Sequence, residues 1–214
     1  DAAHDRAEDR FVVVRLHFEF LNGVDNRPHR IGAEVCALVV DSVNQEHVAA
    51  VVLAARVLQL QLVLADDRPA WCWQIQLENR SGEPVEYDLI YTQDLAIAPY
   101  GAIRLNEYYV SQYIDHEPLC HPGKGYVVAS RQNQAVGGRY PWSLIGSLRH
   151  AQSYSTDALQ FHGLDTRRDL PAPGLTQGLP GILLQHEHAL VGIQDQVTCL
   201  APGEGASAGF YGWI

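Results

Sequence analysis

The residues most able to do chemistry lie together in Asn106 to His116, NEYYVSQYIDH, followed by Cys120-His121-Pro122-Gly123-Lys124-Gly125. Three tyrosines, two carboxylates, two amides and a histidine in eleven positions suit a neutral, polyhydroxylated ligand. Aromatic faces stack on sugar C–H groups, while carboxylates, amides and His bridge hydroxyls. Read as a strand, the segment sends Glu107, Tyr109, Ser111, Tyr113 and Asp115 to one face and Asn106, Tyr108, Val110, Gln112, Ile114 and His116 to the other. The competing reading packs the tyrosines between sheets with their hydroxyls satisfied. A second cluster, Ser130-Arg131-Gln132-Asn133-Gln134, leads into Gly137-Gly138-Arg139-Tyr140-Pro141-Trp142. The two glycines invite a tight turn. Arg131 and Arg139 could bridge to Asp115 or Glu107, contact a ligand, or stay solvated.

Other constellations are weaker. His186 and His188 would project together from a strand, yet a metal site needs further ligands from distant sequence and Glu187 points the other way, so packed or surface histidines are favoured. His116 with His121 is no better. Asp94, Glu107, Asp115 and Asp157 are the carboxylates available for acid–base work, and spacing alone brings no pair together. The chain carries no GxSxG, P-loop, HExxH or Rossmann fingerprint.

Strands must position these residues. Short runs of Val, Ile, Leu, Tyr and Trp at period two, punctuated by Gly, Pro, Asn and Asp, give an all-β pattern with few helices. Strands are expected at Arg10 to Phe20, Glu34 to Val40, Val57 to Leu64, Glu107 to Ile114, Gly125 to Arg131, Trp142 to Leu148, Ala158 to His162, Ile182 to Gln194 and Ala206 to Trp213. The clearest hairpin is Trp71 to Leu95, its two strands flanking the turn formers Asn79 to Pro84. Trp71, Trp73, Ile75 and Leu77 then share one face, and Leu58, Leu60 and Leu62 another. So many antiparallel strands would curl or split into two sheets, a large antiparallel β-sandwich. Residues 1–214 read as one domain, with Thr166 to Gly181 a surface loop.

Composition narrows the partners. Charged residues are 19% of the chain, below the ordinary share of about 25%, while 10 Tyr, 4 Trp and 10 His make the polar surface aromatic and neutral. A net charge of −10 without Lys or Arg runs argues against nucleic acid and anionic lipid. The most apolar stretch, Val48 to Leu64, is broken by Arg56, Gln59 and Gln61, so no membrane insertion is expected. No signal peptide is visible in DAAHDRAEDR. Cys36, Cys72, Cys120 and Cys199 form no CxxC pair and read as reduced structural thiols, which favours a cytoplasmic location. The absence of Met and the ending GFYGWI read as a piece of a longer polypeptide.

Several ordered motifs carry a family resemblance: YTQDLAIAPYGAIRLNEYYVSQYIDH, VVASRQNQ, GGRYPW and YSTDALQFHG, continued by LQHEHALVGIQD and GFYGW. Together they resemble the β-sandwich domains of glycoside hydrolase family 94, formerly glycosyltransferase family 36, and most of all the cyclic beta-1,2-glucan synthase members. Cellobiose and oligoglucan phosphorylases belong to the same group. The likeness covers Trp71 to Trp213, and residues 1–65 match only as leading strands.

The resemblance implies a supersandwich related to galactose mutarotases. It also implies a helical (α/α)6 barrel elsewhere in the polypeptide that holds the general acid, with inorganic phosphate as co-substrate and no metal or organic cofactor. This domain would then be non-catalytic, would contribute homodimer contacts, and would frame a site for beta-linked gluco-oligosaccharides. Asn106, Glu107, Tyr108, Tyr109, Gln112, Asp115, His116, Arg131, Gln132 and Asn133 are the residues expected to meet barrel or substrate. A free carbohydrate-binding module and a purely structural or dimerisation domain are the alternatives. A mutarotase-like epimerase would pair His186 or His116 with Glu187 or Glu107, although kinship of fold does not transfer function.

Overall fold

A computed structural model describes residues 14–21, 33–36, 46–53, 56–164, 172–185 and 188–214, with side chains from Gln59 onward other than that of Tyr100. In chain order the strands are β1 Val14–Leu21, β2 Ala33–Cys36, β3 Glu46–Leu53, β4 Arg56–Leu64, β5 Ala70–Asn79, β6 Val85–Asp94, β7 Ile114–His121, β8 Gly125–Gln132, β9 Trp142–Ser147, β10 Ala151–Asp157, β11 Ala189–Asp195, β12 Thr198–Leu200 and β13 Gly205–Trp213. The helices are short: α1 Tyr100–Leu105, α2 Glu107–Ser111, α3 Ala158–His162 and α4 Pro173–Thr176. The fold is an all-β sandwich.

One hydrogen-bonded path runs β2-β1-β6-β11-β10-β8-β9-β13-β5-β4-β3, with β12 on β6 and β7 on β8. Pairing along it is antiparallel except between β8 and β10, where Ala151 meets Gly125 in parallel. Of the two expected outcomes, curling and splitting, the strands adopt the first: one sheet folds over on itself. β6 and β13 lie five steps apart on this path, which at about 4.8 Å per strand would be about 24 Å if flat. Yet Tyr91 of β6 stacks on Phe210 of β13 with ring centroids 5.3 Å apart, and the Trp71 indole of β5 donates to the Tyr91 hydroxyl at 3.2 Å. Between the layers lie Trp73, Ile75, Leu77, Tyr87, Leu89, Ile145, Val191 and Ile193. Gly125, which closes the turn from β7 into β8, permits the close approach of β8 to β10, because at its φ of +69° a Cβ would sit 1.9 Å from the Ala151 carbonyl oxygen.

Alternation holds where it was clearest. Trp73, Ile75 and Leu77 are buried while Gln74 and Gln76 are exposed, and Leu60 and Leu62 are buried beside them. The hairpin, however, is absent. β5 pairs with β4 and β13, whereas β6 pairs with β1, β11 and β12. Residues 79–84 form an arch between layers, so β5 and β6 meet through side chains across the core instead of through backbone hydrogen bonds.

Three further expectations need correction. Residues 158–162 are α3, since the buried Asp157 carboxylate caps the amides of Leu159 at 2.9 Å and Gln160 at 3.1 Å. Residues 182–185 are outside the strands, and β11 begins at Ala189. The described part of the expected surface loop contains α4, and its Ala172 and Leu179 are buried against Ile90, Phe161 and Leu190 on the outer side of β6 and β11. With both faces covered, β11 is buried along its whole length. Among the described cysteines, Cys72, Cys120 and Cys199 are free thiols, the first half-buried and the other two exposed.

Candidate functional site

The segment NEYYVSQYIDH is a helix followed by a strand, so the expected division of its side chains between two sheet faces does not occur. Asn106 decides this locally: extended at φ −162°, ψ 91°, it caps α2, and its side-chain oxygen accepts from the Tyr109 amide at 3.0 Å. Helical geometry then exposes Tyr108 and Tyr109 together and buries Val110 and Ser111. Tyr113, one turn beyond Tyr109, contacts it edge-on at 5.2 Å, and its hydroxyl donates to the Tyr109 hydroxyl at 3.2 Å. Gln112 ends the helix, exposed.

Two buried polar side chains fasten α2 to the sandwich. The Ser111 hydroxyl accepts from the Ala189 amide at 2.7 Å. Gln132, fully buried on β8, donates to the carbonyls of Ala96 at 2.8 Å and Val110 at 3.1 Å, while its oxygen accepts from the Gln134 amide at 2.9 Å. This docking gathers the first of two polar groups. His188 Nε2 lies 3.9 Å from Asp94 and 4.0 Å from Glu107, and the His188 ring meets Tyr108 edge-on at 5.3 Å. At those distances Nε2 has no hydrogen-bond partner, and the atom itself is enclosed by its neighbours. His186 and Glu187 lie outside the described residues.

The second group is built by β7, β8 and β9. Asp115, Arg131 and Trp142 stand side by side in register across the three strands. Arg131 Nε donates to Asn133 Oδ1 at 2.8 Å, its Nη2 lies 3.6 Å from Asp115, and its guanidinium sits over the Trp142 ring at 5.4 Å. The next register row faces inward: His116 is buried, with Nδ1 2.9 Å from the Ser130 hydroxyl and Nε2 unpartnered. Burial, against a smaller opposing effect of Asp115, lowers its pKa to about 4. Gly137 and Gly138, both at positive φ, make the tight turn between Val136 and Arg139.

The structure thus joins Glu107, Tyr108, Asp94 and His188 in one cluster, and Asp115, Arg131, Asn133 and Trp142 in another. It turns His116 and Gln132 inward. Asp157 caps α3 and joins neither cluster. Among the described residues no group of His, Cys, Asp and Glu is arranged to hold a metal ion. Sequence reasoning missed a buried node in which Asp195 meets Arg149 Nε at 3.2 Å and accepts from Ser147 at 2.9 Å, while Arg149 donates to the Tyr87 hydroxyl at 2.8 Å. It also passed over Trp213, half exposed on the outer sheet face.

With this geometry in place, comparison with known proteins is decisive for family. The family described as SOGP N-terminal domain matches residues 41–212. The chain belongs to it. The SOGP N-terminal domain match takes in β3 through nearly all of β13 and both polar clusters, and it starts well before Trp71, where the family 94 likeness became legible. That likeness is thereby upheld. A 1,2-beta-oligoglucan phosphorylase of Listeria innocua serovar 6a is 35% identical over 128 residues, 59% of this chain. The matched region is 11% of the relative, so the chain spans a small part of that protein's length. Among solved structures, a polysaccharide lyase matches 96% of this chain with 26% of its own, at a TM-score of 0.53 and 10% identity, which is a likeness of fold. The SOGP N-terminal domain is thus a glycoside-phosphorylase-related β-sandwich, and none of its described helices is long and apolar enough to cross a membrane.

Proposed function

We propose that the chain is the non-catalytic β-sandwich of a cytoplasmic β-glucan phosphorylase, one domain over residues 1–214. It frames the substrate site and assembles with a helical-barrel catalytic domain of the same polypeptide and with a second copy. The observation that carries this is the joint match to the SOGP N-terminal domain and to a named 1,2-beta-oligoglucan phosphorylase. The substrate is a beta-linked gluco-oligosaccharide, and inorganic phosphate is the co-substrate. Asn106, Glu107, Tyr108, Tyr109, Gln112, Asp115, Arg131 and Asn133 meet barrel or sugar. His116 and Gln132 hold the segment that carries them. Two half-buried carboxylates beside one imidazole are an incomplete acid–base set without a bound substrate to define roles, which fits a framing part better than an autonomous active site.

The test compares the 214-residue chain with the full-length polypeptide. The chain alone should release no glucose 1-phosphate from oligoglucans, and the full-length protein should release it in proportion to phosphate. Turnover by the chain alone would overturn the non-catalytic role. One observation favours the second reading, a free carbohydrate-binding module: Tyr108 is 58% exposed, Tyr109 49%, Tyr140 58% and Trp142 50%. That reading requires sugar affinity in the chain by itself.

A further inference from the structure

The outer face of β7, β8, β9 and β13 is a shelf with tryptophans on two adjacent rows. In the first row Asp115, Arg131 and Trp142 follow one another across β7, β8 and β9. In the second, Glu117, Ala129, Leu144 and Trp213 do the same and extend onto β13. Trp142 is 50% exposed and Trp213 51%. They are diagonal neighbours on adjacent strands, a relation that places residues about 7–8 Å apart. Half-buried Leu144 stands between them, opposite Trp213 and two residues along from Trp142; the small Ala129 follows it on β8, and the Tyr211 ring covers Gly146 farther along β9. Arg131 is fixed by Asn133 and Asp115, and it steadies Trp142 from one side.

We propose that this shelf is a glucan-contact site, in which Trp142 and Trp213 stack on successive pyranose rings while Asp115, Arg131 and Asn133 hydrogen-bond their hydroxyls. The chemistry selects the ligand. Asp115 and Glu117, with a chain charge of −10, disfavour an anion, and Arg131 at the centre disfavours a cation. A purely apolar partner would strip water from the remaining donor and acceptor positions of Arg131 and Asp115 without replacing it. A neutral chain of pyranoses has C–H faces for the indoles, hydroxyl donors for Asp115 and hydroxyl acceptors for Arg131. Two tryptophans on adjacent rows favour an oligosaccharide over a single glucose. The choice of glucan rests on the proposed function above.

The test is calorimetric titration of the 214-residue chain with β-1,2-, β-1,3- and β-1,4-linked gluco-oligosaccharides, and with glucose. Near-UV circular dichroism confirms that each variant is folded. At least one oligosaccharide should bind more tightly than glucose. Trp142→Ala should raise its Kd about tenfold, Trp142→Phe should restore part of the loss, and Arg131→Met should weaken binding with the fold intact. Val197→Thr, an exposed change between β11 and β12, should leave binding unaltered. Undiminished affinity in folded Trp142→Ala, or no oligosaccharide binding by the folded chain, overturns the proposal. Phosphorolysis by the full-length protein separates the two readings. If it proceeds while the chain binds nothing, the shelf is wrong and the phosphorylase reading stands; if the chain binds but phosphorolysis is absent, the reverse holds.

Discussion

The Asn79 side-chain amide donates at 3.0 Å to the carbonyl of Leu200, 121 residues further along the chain. The same amide donates to the Glu83 carbonyl at 2.8 Å, and its oxygen accepts from the Ser81 amide and hydroxyl at 3.0 and 2.6 Å. One buried residue thereby shapes the arch after β5 and ties it to β12. That explains why β5 and β6 enter opposite layers.

Replacing Asn79 by Ala should therefore cost about 2 kcal/mol, because the buried Leu200 carbonyl loses this donor and the arch loses its internal acceptor, while the Glu83 carbonyl keeps the Ser81 hydroxyl. Urea unfolding of the variant against the parent chain measures this. A loss below about 0.5 kcal/mol would show that water replaces the amide.

Gln132 is the corresponding anchor for the site. Gln132→Leu leaves the carbonyls of Ala96 and Val110 without that donor, at a cost of about 2 kcal/mol. The loss should be local first. Hydrogen exchange of the amides in α2 should speed up more than that in β5 and β13, and equal acceleration everywhere would contradict the anchoring role.

His116 makes stability depend on pH. Its folded pKa of about 4 lies below the ordinary value of 6.5 because the ring is buried. Above about pH 6.5 both folded and unfolded forms are neutral and nothing is lost. As pH falls below 6.5 the unfolded chain takes up a proton that the folded chain refuses, so stability drops until pH reaches about 4, by about 3 kcal/mol in all. Unfolding free energies at pH 7, 5.5 and 4.5 should show this slope, and His116→Gln should flatten it.

The Arg149–Asp195 pair carries the opposite sign. Burial already pushes the Asp195 carboxyl above its ordinary value, and Arg149 is the chief influence holding it down. Arg149→Met leaves a buried carboxylate without its ion-pair partner and should cost about 3–5 kcal/mol at neutral pH. In the variant the folded carboxyl is raised further, so folding favours the protonated form. Stability is then retained at low pH and lost as pH rises through that folded value, and the deficit relative to the parent chain should narrow from pH 7 toward pH 4.

These residues also show what the sequence made legible. Alternation located β4 and β5 because each buries one face against a common core, whereas β6 is covered on both faces from Leu89 to Gln93. Their partners were not legible, since hairpin and arch share the same turn formers and differ through a contact made by Leu200. α2 and α3 span five residues each, too short to display helical periodicity, and only their capping residues Asn106 and Asp157 marked them. The bridge from Arg131 to Asp115 was foreseen among alternatives. The cluster at His188 was not, because Asp94 ends β6 and Glu107 begins α2, and docking by Gln132 and Ser111 brings them together.

The most direct measurement is phosphate-dependent cleavage of linkage-defined gluco-oligosaccharides by the full-length polypeptide that contains this chain. Release of glucose 1-phosphate from at least one β-linked oligosaccharide, absent without phosphate, is the expected result. Hydrolysis to free glucose without phosphate, or no action on any β-glucan, would contradict the assignment of this β-sandwich to a glucan phosphorylase.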